Sequence, residues 1–205
     1  MWARIAIGAT TLAVAAAIAL AALVDQAPLP PLPKLGLLPE VEFVDQTGAS
    51  FDSRDLSNGV TIAHLIFTRC PTVCPVVVLK MKTIEEKTRD LGPSLHFASI
   101  SVDPSYDTPA KLSEFAKRFG VSTKRWSFLH GSEKQTQTVI DALKLGSENR
   151  GVDERGIPDI IHGTHFVLLD RDRQIRGYYD SDVPARLAAI QSDAARLVDQ
   201  PEPLP

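Results

Sequence analysis

Cysteine is almost absent from this chain of 205 residues: Cys70 and Cys74 are its only two. That excludes a disulfide framework, which uses more cysteines at wider spacings, and it points to one local site. No block of Lys and Arg gathers into a stripe, and the formal net charge is −3. Nucleic-acid binding therefore has no electrostatic footprint here. No internal repeat occurs. The length suits one domain plus an N-terminal segment and is too short for two ordinary domains beyond it. The remainder is long enough to bury a core without disulfide staples.

Long apolar runs are absent except for one. Ile5–Val24 holds 20 consecutive uncharged residues, enough to span a bilayer. Arg4 precedes the run and Asp25 follows it, which by the positive-inside tendency keeps the short N-terminus cytoplasmic. The expectation is a single-pass anchor, residues 1–24, in the inner membrane, with the rest of the chain facing the periplasm. A cleaved signal peptide is the rival reading, because Ala19-Leu20-Ala21 resembles a cleavage site. Residues 25–39 carry five prolines and read as a semi-rigid polyproline spacer. A globular domain is expected over residues 40–198, followed by a disordered tail at 199–205.

Within the domain, Val60–Thr68 and Leu95–Val102 read as buried strands. Pro75–Asp90 reads as a helix with proline in its first turn, stopped by Gly92-Pro93. Thr108-Pro109 opens a second helix that Gly120 closes. Trp126–His130 is a short strand. Ser132 and Gln135 form a capping-box pattern before a third helix. Phe166–Asp170 and Gln174–Tyr179 read as a hairpin, and Pro184–Val198 as a last helix. Alternating strands and helices followed by an antiparallel hairpin imply an α/β fold, a mixed sheet with helices on both faces.

The strongest local signal is Thr68-Arg69-Cys70-Pro71-Thr72-Val73-Cys74-Pro75, at the junction of a buried strand and a helix. Ligands of α/β sheets gather at the carboxyl ends of the strands. Unpaired N–H groups at a helix start stabilise a thiolate, which is both the nucleophile and the metal ligand. Residues four apart lie on one face of a helical turn, ~5–6 Å between Cβ atoms. Such sulfurs can straddle a metal ion, or be bridged as a disulfide after modest movement.

This octapeptide resembles that of the Sco/SenC family of copper proteins, which assist assembly of the copper site of cytochrome oxidase. Further blocks carry the likeness: Ser101-Val102-Asp103-Pro104 with Asp107-Thr108-Pro109, then Trp126-Ser127-Phe128-Leu129 with Gly131. Ile161-His162 followed by Phe166–Asp170, and Ile175–Asp180, complete it. The resemblance implies a thioredoxin-like fold and copper ligands Cys70, Cys74 and His162. His162 stands eight residues before Asp170, the family's spacing, and His165 does not. It also implies that Thr164 takes the place of the usual cis-proline, which argues against a general disulfide reductase. His162 would then lie on a loop beside the sulfurs, while His165 enters the strand. The likeness has departures: Ile161 and Gly163 flank the histidine, His130 stands where threonine is common, and the turn Arg171-Asp172-Arg173 lacks glycine.

Two thiolates and an imidazole suit copper, since thiolates favour Cu(I) and imidazole also accepts Cu(II). Structural zinc almost always takes four protein ligands, and three are found. The leading expectation is a copper carrier that delivers to a cytochrome oxidase subunit and is held to the membrane by its N-terminal helix. The alternative is a membrane-anchored thiol–disulfide oxidoreductase using the redox-active pair Cys70 and Cys74 on the oxidase's copper-site cysteines. His64 and His96 read as core histidines and His130 as a turn residue. Asp103 either orients a ligand from outside the coordination sphere or shapes its loop. Arg69 either adds positive potential beside the thiolates or faces solvent.

Overall fold

The computed structural model describes residues 29–152 and 158–200. The expected anchor helix and the end of the tail lie outside these residues. Among the described residues no helix is long and apolar enough to cross a membrane.

Ten strands are described: β1 Gly36–Leu37, β2 Glu42–Asp45, β3 Ser50–Asp52, β4 Val60–Ile66, β5 Leu95–Ser101, β6 Trp126–His130, β7 Ser147–Val152, β8 Pro158–His162, β9 His165–Leu169 and β10 Gln174–Asp180. Four α-helices join them: α1 Val73–Lys87, α2 Pro109–Arg118, α3 Glu133–Leu143 and α4 Pro184–Val198. The main sheet has the order β1-β10-β9-β4-β5-β6-β2-β3, and β7 and β8 form a separate hairpin. β4, β5 and β6 run parallel, and their neighbours on either side are antiparallel.

All seven residues of β4 are buried, as a parallel strand covered on both faces requires. α1 and α4 pack together, with α4 lying over β4 and β10, while α2 packs on β6. His64 sits inside this core between the rings of Trp126 and Phe166. Its Nε2 lies 2.6 Å from Ser99 Oγ, which also accepts from Trp126 Nε1 at 2.8 Å. His96 is half-buried over Gly59, where a Cβ would come within 2.8 Å of its ring.

Three features differ from expectation. The folded unit begins near Leu32, not at Glu40. β1 pairs with the free edge of β10, Leu38 is 1% exposed, and Arg176 donates to the carbonyls of Leu32 and Pro33. The edge of β10 presents unpaired backbone groups, and the end of the proline-rich segment satisfies them. Second, α1 starts at Val73, two residues early, because proline is tolerated anywhere in a first turn where no intrahelical N–H bond is due. Third, the chain before β9 forms the second arm of the β7–β8 hairpin, with His162 as the last residue of β8. In the β9–β10 turn, Arg173 takes the left-handed conformation (φ 60°) that glycine usually supplies.

Candidate metal centre

β4 ends at Ile66, level with Ser101 at the end of β5, and the chain turns through Phe67–Arg69 into α1. The Cys70 N–H donates to the Phe67 carbonyl at 3.2 Å, closing that turn. Cys70 is 9% exposed, and Cys74, in the first turn of α1, is fully buried. The two are free thiols, not a disulfide.

Their environments push them apart. The Cys70 pKa falls from the ordinary thiol range to about 5, chiefly because Cys74 gives it a hydrogen bond from its S–H. Burial opposes this, and backbone N–H groups of Cys74, Thr72 and Val73 at the helix start support it. The Cys74 N–H lies 3.5 Å from Cys70 Sγ. Cys74 is pushed far up, because its proton is engaged by Cys70, because it is buried, and because Cys70 carries negative charge beside it. The two shifts run in opposite directions, so the proton shared by the pair favours Cys74 and the negative charge favours Cys70.

Two acids hold the turn. Asp107 is fully buried and accepts from the Thr68 N–H at 3.0 Å, from the Thr68 hydroxyl, and from Ser101 Oγ at 2.6 Å. It thereby ties the turn after β4 to the end of β5. Burial raises its own pKa against those hydrogen bonds. Asp103 takes Arg69 in a two-point ion pair, at 2.6 and 3.2 Å, and the Arg69 guanidinium lies over the Tyr106 ring at 4.4 Å. Asp103 therefore meets the cysteine turn through Arg69, and Arg69 is held by it.

On the other side, the Ser181 backbone N–H donates to the Thr164 carbonyl at 3.3 Å. Lys80 of α1 pairs with Asp182 at 2.6 Å, and Asp182 also hydrogen-bonds Thr164. The segment that follows His162 is thus tied to the helix carrying Cys74. His165 opens β9 opposite Asp180 and is half-buried. The side chain of His162 lies outside what the structure describes. Among the described residues, no three His, Cys, Asp or Glu side chains converge on one point. His130 ends β6, with β5 between it and the cysteine strand.

Asp107 and Thr68 carry no sign in the sequence that they are site residues. Both stand inside the quoted motifs, but only the fold shows that a carboxylate at the end of one strand's loop meets the backbone of the other's.

Two free cysteines, one at the edge of solvent and one fully buried, at the start of the helix that follows a central parallel strand, define a thioredoxin-like thiol protein with three residues between its cysteines. The chain belongs to the SCO1/SenC family, whose model matches residues 34–197. It is 30% identical over 139 residues to a SCO1 protein homolog of Bacillus subtilis, covering 67% of this chain and 70% of that one. It resembles the structure of BsSco, a Sco-family cytochrome c oxidase assembly protein in which a disulfide switch was identified: TM-score 0.71, 25% identity, 83% of this chain and 98% of that one. Bradyrhizobium japonicum ScoI, solved with copper bound, shares the fold at TM-score 0.67 and 21% identity, over 77% of this chain and 99% of that one.

Proposed function

We propose that this protein is a copper carrier that holds the ion as cargo through Cys70, Cys74 and His162, and passes it to a cytochrome oxidase subunit. The carrying observation is the free sulfur pair at the helix start, with the Cys74 N–H 3.5 Å from Cys70 Sγ, Cys70 at the edge of solvent and Cys74 buried. The donor set fits the ion. Cys70 offers a lone pair at neutral pH, and Cys74 must release a single proton to offer the second. Sulfur favours Cu(I), and the imidazole of His162 extends the set to Cu(II). Family membership supports the reading, since ScoI has been solved with copper bound and BsSco is an oxidase assembly protein. The run Ile5–Val24 supports an anchored domain facing the periplasm. The mass of the mature N-terminus tests this, and a chain beginning near Leu23 means cleavage.

A second reading draws on the same asymmetry. The Cys70 thiolate attacks a partner disulfide and forms a mixed disulfide, releasing one partner thiolate. Cys74 then loses its proton and attacks Cys70 Sγ, releasing the second. The partner gains two electrons and the Cys70–Cys74 pair loses them. The disulfide switch of BsSco favours keeping this reading.

Titration of the reduced full chain with Cu(I) and Cu(II), read by sulfur-to-copper charge-transfer absorption for Cu(II) and by chelator competition for Cu(I), separates them. One ion per chain is expected, lost in Cys70→Ala and Cys74→Ala. His162→Ala is expected to lose Cu(II) more than Cu(I), and His165→Ala to keep both. Binding of neither ion above the cysteine variants overturns the carrier reading. Loss of Cu(II) in a folded His165→Ala but not in His162→Ala moves the ligand by three residues.

A further inference from the structure

The first two turns of α1 turn an apolar face to solvent. Val73, Val76 and Leu79 are 42, 50 and 50% exposed. Spaced three apart, they lie along one side of the helix. The opposite side, Cys74, Val77, Val78 and Met81, is buried. Exposed Pro71 and Thr72 extend the stripe back to Cys70, and no charged residue stands between Arg69 and Lys80. Water-facing sides of surface helices ordinarily carry polar residues, and this stripe departs from that pattern directly beside the cysteine pair.

We infer that this stripe is where the copper-accepting protein docks, and that its occupant is an uncharged, apolar rim around that protein's own sulfur ligands. The inference rests on the carrier reading. With Cys74 fully buried, the pair meets solvent through the small exposed part of Cys70. Ligand exchange requires an acceptor donor atom to reach the ion while a donor sulfur still holds it, so the acceptor's surface must touch the residues bordering Cys70. Pro71 and Val73 are among those residues, and Val76 and Leu79 continue them.

Charge decides the character of the partner. The cations that border the stripe are matched by carboxylates, Arg69 by Asp103 and Lys80 by Asp182, while Lys82 keeps its charge but is turned onto the Phe119 carbonyl. They leave little field to draw an acidic partner, so the complementary surface is neutral. Area decides how long it stays. Half of three aliphatic side chains offers roughly 200 Å² of apolar surface, against ~800 Å² per partner in a standard stable interface. That suits a transient acceptor and falls short of a permanent second copy.

The test uses the reduced, Cu(I)-loaded full chain and, as probe, the copper-free soluble domain of an oxidase subunit that binds copper through cysteines. Val76→Asp/Leu79→Asp is compared with wild type, and Val76→Ser/Leu79→Ser serves if the first fails to fold. The expected result is transfer to the protein acceptor slowed about tenfold or more, equivalent to ~1.4 kcal/mol. Cu(I) affinity and release to a small chelator should be unchanged, and the wild-type rate nearly independent of salt. Equal transfer rates in wild type and variant overturn the docking proposal and leave the carrier reading intact. Absence of transfer from a copper-loaded wild type overturns both. A wild-type dimer, or wild-type binding to phospholipid vesicles, that the variant loses while its transfer is unimpaired assigns the stripe to that occupant and overturns the proposal.

Discussion

Cys70 and Cys74 are four residues apart, yet their surroundings shift their pKa values in opposite directions. The first receives a hydrogen bond and faces backbone N–H groups, and the second is enclosed by apolar side chains and faces a thiolate. Reactivity follows from the sign of each shift. A depressed pKa means that Cys70 is thiolate at every pH above about 5, whereas an ordinary thiol becomes so only near ~8.5. Iodoacetamide alkylation of the reduced chain should therefore rise through pH 5 and level off by neutrality, with modification confined to Cys70 by peptide mass. In Cys70→Ala, Cys74 loses the hydrogen-bond partner that heads the causes of its shift but keeps its burial, so it should stay unreactive in the folded chain. An alkylation midpoint near 8.5 in the wild type would remove the thiolate from the argument. Asp107 completes the residue scale: it is a buried carboxyl whose oxygens are occupied by Thr68 and Ser101, which makes the cysteine turn a rigid feature of the sheet end.

Among the elements, β1 is the one that changes where the domain begins. Leu38 follows it directly into the core at 1% exposure, whereas Leu37 is half exposed. Leu38→Ala should cost about 2–5 kcal/mol, the range for emptying a buried leucine site. Leu37→Ala should stay within about 0.5 kcal/mol. Urea denaturation of both variants checks this, and equal small effects would return the segment to the role of a free spacer. The long, capped and periodic elements were legible in the residues. Trp126–His130 and Pro184–Val198 have the expected bounds, and the Ser132–Gln135 capping box is formed by both side chains. The cysteine pair at a strand–helix junction was equally legible, because both its spacing and its flanking prolines are local. β1, β2 and β3 were not, since two to four residues are too few to display a period. The β7–β8 arm was hidden for another reason. It stands outside the main sheet, and Ser147–Val152 is polar and carries glycine, so neither alternation nor an apolar run announces it. The histidine predicted on a loop is for that reason the end of a strand.

For the whole molecule, the carrier proposal makes copper and a disulfide rivals for the same two sulfurs, so the stability of the domain should report which has won. Cys74 is part of the hydrophobic core, so the state of its sulfur is felt by packing well beyond the site. A ligand that binds only the folded chain stabilises it by RT ln(1 + [L]/Kd), ~2.7 kcal/mol at 100 times Kd. For a domain the size of the family match, residues 34–197, that corresponds to a rise in Tm of about 5–10 °C. The reduced full chain should show this rise with Cu(I). The fully oxidised chain should not, because a disulfide has consumed both thiolates, and an imidazole by itself does not reproduce the site. Cys70→Ala should likewise show none, since the buried Cys74 then lacks its neighbouring donor. Paired thermal scans of reduced, oxidised and Cys70→Ala chains, with and without the ion, make the comparison under one set of conditions. A copper-dependent rise of equal size in the oxidised chain would mean that the ion is bound elsewhere in the protein and that the cysteines serve thiol exchange alone.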